Sequence, residues 1–440
     1  MRVSQLLRQT PLLLALGVSL TVALAVASAQ VMPSASKPST AAKPSDDLHD
    51  LWTANIDPIL ARTVHTSAEA YNAGGMLMVP LHAAFRRNDL GWEKGFSEHF
   101  QRLMHSTGEL PDVVLSRLQY LYLASEFIVL AQRSGHSDLI PPALPNFLYS
   151  QIYDIWMEQP SGGYEHAPFH GMRERVLWKL NTKRVTKSHS RAILDDEFFL
   201  WGIAADLRTY GNPEQQQAWR SVLNDMLEAA DRVCRHEITH TSFGGWLLQP
   251  GVWRDHPDFK YAGIDHPTAD MRPAPVADIA WDSSHSIRFP VWMTSLMNAY
   301  GQGSPENIFY SELREGLSKQ FFARVVVPPS ADFPCYRTNN YMDGRNGVYR
   351  WGYGELGANN GYGPYQASGA LLLGWWALLH TPQSKELYRS IADEYPWTRK
   401  CIELYLGPGN GNREYTEGEL SPNHPSMRLR YLIVRLASEL

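Results

Sequence analysis

The stretch that decides the fold spans residues 281–292 and reads WDSSHSIRFPVW. Pro290 belongs in the first turn of a helix, because proline donates no backbone hydrogen bond and clashes with the carbonyl group four residues earlier. A helix therefore begins close to Phe289, and the apolar run that follows predicts that this helix is buried. The polar residues 282–288 are predicted to lie at its N-terminal end.

These polar residues form a candidate active site. The segment brings together a carboxylate, an imidazole and a guanidinium, from Asp282, His285 and Arg288. The N-terminus of a helix has unpaired N–H groups and a partial positive charge, which suit an anionic ligand. We therefore predict these three as catalytic residues and Trp281 beside them as a substrate contact. The alternative is a capped helix with a surface histidine and arginine.

Most of the chain from residue 48 onward has helical periodicity. Helices with a single apolar stripe are predicted at 213–233 and 304–322, and such helices bury one face. Helices that are apolar on almost every side are predicted at 193–207, 289–297 and 365–380, and such helices are fully buried. An inner and an outer layer of helices follows, so the predicted fold class is all-α. Strand signals are few, with one short candidate at 324–327.

Two long segments, 236–281 and 328–363, break the helical pattern, and each leads toward a buried helix. Loops of this length inside a compact domain are usually functional. The second segment is rich in Asn, Tyr, Arg and Gly, which suit sugar hydroxyls and carboxylates, although glycine and asparagine also serve tight structural turns. From it we predict the substrate-binding residues Asn340, Tyr341, Arg345, Tyr349, Arg350, Glu355, Asn360 and Tyr365.

A short motif occurs twice in the chain. Residues 188–191 read SHSR and residues 284–288 read SHSIR, each in front of a predicted buried helix. Repeated hairpins would produce such an echo, although a match this short also arises by chance. On this basis His189 joins the predicted substrate-binding residues.

The N-terminus reads as an export signal. Residues 1–29 combine a basic start, an apolar run and the small-residue cleavage site Ala27-Ser28-Ala29. A transmembrane anchor is the alternative, because the apolar run approaches the roughly 20 residues that span a bilayer. We predict cleavage before Gln30, no stable membrane anchor afterwards, a disordered linker at 30–47, one domain at 48–440, and a periplasmic or secreted location.

Composition narrows the possible partners. The formal net charge is -5 and no basic block stands out, so no nucleic-acid partner is expected. Aromatic residues make up 11% of the chain and offer flat faces for sugar rings. Three cysteines allow at most one disulfide bridge. The pairs His166/His170 and His236/His240 lack a third ligand nearby, so we expect neither a metal nor another cofactor.

The alternation of inner and outer helices after a signal peptide resembles the (α/α) toroid enzymes that cut polysaccharides. These enzymes include polysaccharide lyases of the alginate and glucuronan type and six-hairpin glycoside hydrolases. The resemblance in architecture covers residues 48–440, and the block 283–286, SSHS, is similar to the Asn-Asn-His-Ser block of toroid alginate lyases. It implies a toroid of six or seven helical hairpins with long active-site loops, acting on a polysaccharide or oligosaccharide.

The resemblance also implies roles for single residues. In that family the histidine is a catalytic base or its helper, which here is His285, and the asparagine neutralises the uronate carboxylate. Ser284 stands at the asparagine position, so Arg288, Asn340 or Asn360 is left for that role. The family's catalytic tyrosine has several counterparts here, and we choose Tyr362 from the set Tyr341, Tyr349, Tyr362 and Tyr365.

The residue types themselves support a lyase and leave alternatives open. A lyase needs a group that neutralises the carboxylate, a base, and an acid for the leaving oxygen, and His, Arg, Asn and Tyr supply all of them. A hydrolase instead needs two carboxyl groups that flank the scissile bond. A periplasmic glycan-binding protein without chemistry is the third alternative. The carboxyl candidates for a hydrolase are Asp195, Asp196, Glu197, Asp278, Asp282 and Glu355.

Overall fold

The structure is a computed structural model, and it describes residues 47–105, 110–163, 166–211, 213–268 and 270–440. The predicted signal segment lies outside the described residues, and so does the predicted linker apart from Asp47.

The described chain is mainly helical, as predicted. Its α-helices are α1 Leu48–Asn55, α2 Asp57–Leu60, α3 Ser67–Arg87, α4 Leu90–His105, α5 Val114–Arg133, α6 Leu144–Met157, α7 Met172–Asn181, α8 Asp195–Thr209, α9 Pro213–Glu237, α10 Ser283–Ser286, α11 Phe289–Asn298, α12 Pro305–Gln320, α13 Pro382–Asp393, α14 Arg399–Leu406 and α15 Pro425–Ala437. A π-helical turn, Phe321–Val325, continues α12. Short 3-10 helices occupy Ser137–Leu139, Ser188–Arg191, Pro257–Phe259, Gln366–Leu373, Trp375–Leu379 and Asn410–Asn412.

Strands are short, and two of the three described pairs lie in or beside the long loops. They form three antiparallel pairs among the described residues: β1 Ser161–Gly163 with β2 His166–Phe169, β3 Ile238–His240 with β4 Trp246–Leu248, and β5 Val326–Val327 with β6 Arg337–Thr338. The strand predicted at 324–327 is therefore present over its last two residues.

The most buried helices pack on one another in chain order. α3 packs on α5, α5 on α8 and α8 on α11, while α11 contacts the 3-10 helix Trp375–Leu379, which in turn contacts α3. The helices α4, α6, α9 and α12 each pack against a member of this series. As its all-round apolar sequence predicts, α8 is buried from Asp195 to Leu207.

Large aromatic side chains join α8 to α11. The rings of Phe198 and Trp292 stack with their centroids 5.0 Å apart, and Phe289 meets Trp292 edge to face at 5.4 Å. All three side chains are at most 2% exposed. Burying a side chain of this size contributes about 1.5–3 kcal/mol, so this contact fixes how the N-terminus of α11 faces α8.

The segment 365–380 differs from its prediction as a single buried helix. It is buried, but it forms two 3-10 helices that are separated by Gly374, whose φ is +78°. Tyr365 before the segment and His380 after it also have positive φ. A Cβ atom at Gly374 would lie 3.0 Å from Val79 and 3.1 Å from Ala437, so α3 and α15 approach the backbone here. Tertiary packing, which periodicity does not reveal, therefore breaks the α-helix.

Two further features concern the environment of the chain. Cys335 and Cys401 form a disulfide between the second long loop and α14, while Cys234 is buried and free, so the limit of one bridge is confirmed. Helix α5 is long and apolar enough to cross a membrane by length and composition, with a mean hydropathy of 1.3. Its most apolar window is 78% buried within the domain, as expected of a core helix.

Candidate functional site

The stretch 281–292 folds into two short helical segments, of which the second begins at Phe289 as Pro290 predicts. Asp282 caps α10, because its Oδ1 accepts a hydrogen bond from the backbone N–H of His285 at 3.0 Å. The chain then turns through Ile287, and α11 begins at Phe289 with Pro290 in its first turn. The capping hydrogen bond fixes the backbone of His285 relative to the carboxylate.

The side chains of His285 and Asp282 form a close pair. Nδ1 of His285 lies 2.8 Å and 2.9 Å from the two carboxylate oxygens of Asp282. Because both carboxylate oxygens are acceptors, the favoured tautomer of His285 carries its proton on Nδ1. Nε2 then keeps its lone pair and can act as a base. Among the described residues Nε2 has no hydrogen-bond partner, and the side chain is 15% exposed.

The carboxylate of Asp282 stays ionised beside this histidine. Burial by itself would raise the pKa of Asp282, but the charge and hydrogen bond of His285 and the hydroxyl of Ser284 outweigh it. The pKa therefore lies well below its usual value. Ser284 donates its Oγ–H to Oδ1 of Asp282, so its hydroxyl is already used in holding the pair.

His285 lies in the wall of a small, partly open cavity. The wall comes from α10, the second long loop, the 3-10 helix Gln366–Leu373, α14 and α15. Among the described residues this wall contains an imidazole, two guanidinium groups and three phenols, and no carboxyl group. Its lining residues are Ser284, His285, Tyr349, Arg350, Tyr362, Gln366, Ala367, Gly369, Ala370, Tyr405, Leu406 and Arg430.

Arg350 is held rigidly in this wall. Its Nε donates to Oδ2 of Asp258 at 3.0 Å, and its guanidinium lies 5.1 Å and 4.9 Å from the ring centres of Tyr349 and Tyr353. The side chain is 8% exposed, and its φ of +54° is uncommon for an arginine. An ion pair and two ring contacts thus hold this guanidinium in the cavity wall.

Two predicted tyrosines also line the cavity. Tyr349 and Tyr362 exchange backbone hydrogen bonds of 2.8 Å in both directions, which sets their side chains near each other, with ring centres 6.1 Å apart. Burial raises the pKa of Tyr362 to about 12, although the charge of Arg350 lowers it in part. The phenol therefore keeps its proton at neutral pH and is available as a hydrogen-bond donor.

Arg288 does not reach the cavity. Its guanidinium is 2% exposed and forms an ion pair with Asp195, together with hydrogen bonds to Tyr71 and Gln119. Because Arg288 lies outside the cavity wall and is paired with Asp195 in the core, it is not placed to bind a ligand in the cavity. We correct its assignment as a carboxylate-neutralising catalytic residue: it ties α11 to α8 inside the core.

Two predicted asparagines are also structural. The amide of Asn340 donates to the carbonyls of Gly347 and Gly363 at 2.9 Å and accepts from the backbone of Ala367, with no exposed surface. The amide of Asn360 donates to the carbonyls of Leu356 and Gly409 and accepts from Gly361. Each amide is used up in bracing the loop, which corrects their assignment to substrate binding.

The other predicted loop residues lie away from the cavity wall. Tyr341 is fully buried and donates its hydroxyl to the carbonyl of Val348, and Trp281 packs in the core against Phe289. Arg345 pairs with Asp343 and Asp278 at the surface, and Tyr365 stacks on Arg337. Glu355 is exposed. None of these five residues lines the cavity that contains His285, although Tyr341 forms a β-bridge with Asp282.

The echo of the SHS motif has a structural counterpart. Like His285, His189 directs its Nδ1 at an aspartate, here Asp255, at 2.7 Å. The ring of His256 stands edge-on to His189, with centres 4.9 Å apart. Backbone and side-chain hydrogen bonds from residues 188 and 189 outweigh burial and lower the pKa of Asp255 to about 2. His189 is 4% exposed and is not part of the cavity wall.

The acidic start of α8 is occupied by cations. Arg175 holds Asp196 and Glu197 at 2.9 Å and 3.0 Å, and Lys179 holds Glu197 at 2.7 Å. Together with the pair between Asp195 and Arg288, these contacts use all three acids in ion pairs. Two acids of the hydrolase set are also paired, Asp278 with Arg345 and Asp282 with His285.

The described residues offer no candidate metal site. Within the described ranges, no group of three or more His, Cys, Asp or Glu side chains stands close enough to hold an ion.

Sequence reasoning missed Arg430, Tyr405 and Gln366 in the cavity wall. Arg430 lies on α15, whose sequence around it, LRYLIV at 429–434, is otherwise apolar. A charged residue within such an apolar run could have singled out Arg430, because charged side chains are rarely buried without a partner. Tyr405 and Gln366 carry no comparable signal.

Comparison with protein-family models gives no match, and comparison with curated proteins gives no match either. Function is therefore argued from the residues of the cavity.

Proposed function

We propose that this protein is a polysaccharide lyase that cleaves a uronic-acid-containing polysaccharide by β-elimination. One observation carries the proposal: the cavity wall combines an aspartate-oriented histidine, arginines and protonated tyrosines, and it contains no carboxyl group. These are the group types that an elimination next to a carboxylate uses. The wall lacks the carboxyl pair that hydrolysis of a glycoside needs.

In the proposed reaction His285 is the base. Its Nε2 takes the proton from C5 of the uronate, the electron pair of that C–H bond forms the C4–C5 double bond, and the C4–O bond breaks. Tyr362 donates its hydroxyl proton to the leaving oxygen. Arg350 pairs with the uronate carboxylate, which makes the C5 proton more acidic and stabilises the charge that develops.

Asp282 acts through His285 in this scheme and is a positioning residue. By accepting the Nδ1 proton it fixes the tautomer and the orientation of the ring, and its negative charge stabilises the imidazolium that forms. This replaces the catalytic role that we assigned to Asp282 from the sequence.

Glycoside hydrolysis remains the second candidate because of Asp195. Burial raises the pKa of this carboxyl, against the opposing charges of Arg288 and His285, and its Oδ1 has no hydrogen-bond partner among the described residues. A carboxyl with a raised pKa is the kind of acid that a glycosidase uses. Hydrolysis ranks second because Asp195 is paired with Arg288 and does not line the cavity.

We infer further that the helices form an (α/α) toroid of helical hairpins. The support is the contact series from α3 through α5, α8 and α11 to Trp375–Leu379 and back to α3. Export to the periplasm or the medium belongs to the same proposal, because a disulfide such as Cys335–Cys401 persists in oxidising compartments. The proposed partner is the polysaccharide itself.

A screen of acidic and neutral polysaccharides tests the proposed reaction. We expect one uronate polymer to yield both new reducing ends and the ultraviolet absorbance of an unsaturated uronate. New reducing ends without that absorbance would make the protein a hydrolase, and Asp195→Asn should then abolish activity. Binding without any new ends would make it a glycan-binding protein.

A further inference from the structure

Arg430 occupies an unusual position for a charged residue. It lies on α15, it is 9% exposed, and it lines the same cavity as His285 and Tyr362. Its Nη1 donates to the backbone carbonyl of Tyr405 at 3.3 Å, and this is its only side-chain hydrogen bond to the described part of the chain. The rest of its guanidinium is therefore available to whatever fills the cavity.

No carboxylate of the described residues compensates the charge of Arg430. The other nine-tenths-buried arginines each have one: Arg175 has Asp196 and Glu197, Arg288 has Asp195, and Arg350 has Asp258. The electrostatic neighbours of Arg430 are instead two phenols, those of Tyr415 and Tyr362. A buried charge without a partner is strongly unfavourable, so such a charge is expected to have a ligand.

We propose that Arg430 is an anion-binding residue of the cavity and that its ligand is the carboxylate of an acidic sugar unit. The planar guanidinium fork matches the two oxygens of a carboxylate, whereas a neutral sugar would leave its charge uncompensated. The inference rests on the proposed function for its choice of a uronate over other anions. It adds a specificity-determining residue on α15 to the cavity wall.

Calorimetric titration of the full-length mature protein tests this role, with sodium glucuronate as the probe and glucose and sodium sulfate as comparison ligands. We expect glucuronate to bind more tightly than either comparison ligand. Loss of a charge-assisted hydrogen bond should weaken glucuronate binding by at least about tenfold in Arg430→Gln and leave glucose unchanged.

Arg314→Gln is the matched control. Arg314 is also an arginine whose pKa burial lowers, and it donates to the backbone carbonyl of Leu379 at 3.3 Å, but it does not line the cavity. This variant should bind glucuronate as the wild type does. Equal weakening in both variants would mean that the effect is general and would overturn the proposal.

A purely structural role for Arg430 makes a different prediction. Removing an uncompensated buried charge should leave the thermal midpoint unchanged or raise it, whereas removing a structural anchor should lower it. If Arg430→Gln does not fold, Arg430→Lys keeps the charge without the fork and should weaken glucuronate binding severalfold. Unchanged glucuronate binding in whichever variant folds contradicts the proposal.

The wild-type titration has its own contradicting outcomes. If glucuronate binds no better than glucose, a carboxylate is not the ligand of Arg430. If sulfate binds more tightly than glucuronate, the cavity suits a sulfate ester instead. Binding is measured without turnover, so the two proposals fail separately. Glucuronate binding through Arg430 without any unsaturated product would end the lyase proposal and leave the role of Arg430 in place.

Discussion

His285 and Tyr362 line one cavity, and in the proposed reaction His285 takes a proton while Tyr362 donates one. Variants of these two residues should therefore respond differently to a change of the leaving group. Each transfer contributes about 10²–10⁴-fold to the rate, so His285→Gln and Tyr362→Phe should both lose activity on that scale. A substrate whose leaving group is an acidic phenol needs no proton from the enzyme. It should restore the rate of Tyr362→Phe and leave His285→Gln inactive.

Rates of both variants on the natural substrate and on the phenol-leaving substrate check this assignment. The matched control is Tyr349→Phe, which removes a second phenol hydroxyl from the same cavity wall. Because Tyr349 has no proton transfer assigned to it, this variant should show no selective rescue by the phenol-leaving substrate. Rescue of His285→Gln, or equal behaviour of Tyr349→Phe and Tyr362→Phe, would contradict the division of roles.

At the same scale, the sequence predicted His285, Tyr349, Arg350 and Tyr362, which line the cavity, but also Asn340, which braces the loop. Residue type alone does not separate an amide that binds a ligand from one that binds its own backbone. That distinction depends on where the carbonyls of residues 347 and 363 lie, and those positions follow from the folded loop.

Among the elements, α7 and α8 are joined by a buried ionic cluster whose loss should be costly. Arg175→Met would leave Asp196 and Glu197 with less compensating charge in a site that excludes water. Breaking a buried pair in this way costs about 3–5 kcal/mol of unfolding free energy. Urea denaturation of the wild type and the variant measures this loss.

The matched control lies two residues earlier on the same helix. Arg173 pairs with Asp225, but the two side chains are 44% and 34% exposed. An exposed pair contributes about 0–1 kcal/mol, so Arg173→Met should be nearly neutral. If Arg175→Met cost no more than Arg173→Met, the cluster would not hold α7 to α8.

Helical periodicity predicted α8 and α11 well, because a helix that is apolar on every side must be buried. It did not predict the function of the acids that begin α8. Their partners come from α7 and from Arg288, which are distant in sequence. Nor did it predict the 3-10 geometry of 366–379, which the close approach of α3 and α15 imposes.

For the whole molecule, buried neutral histidines predict a loss of stability in mild acid. Burial lowers the pKa of His99 and of His256 to about 4. An unfolded histidine takes up its proton near pH 6.5, so between these two values acid favours the unfolded chain. The free energy of unfolding should therefore fall as the pH drops from about 6.5 to about 4.

Urea denaturation across this pH range measures the number of protons taken up on unfolding. His256→Asn does not titrate, and its side chain can still accept the hydrogen bond that His256 accepts from the backbone of Asp258. It should lower that number by about one. His266→Asn is the control, because the side chain of His266 is 96% exposed. An unchanged proton uptake in His256→Asn would contradict this prediction.

The mass of the reaction products tests the central claim most directly. After digestion of the most active uronate polymer, we predict that the new non-reducing terminal unit is one water lighter than a hydrolysis product and carries a C4–C5 double bond. His285→Gln should yield none of this product while it remains folded. Products with the full mass of hydrolysis, or an unsaturated product formed at an undiminished rate by His285→Gln, would contradict β-elimination at this cavity.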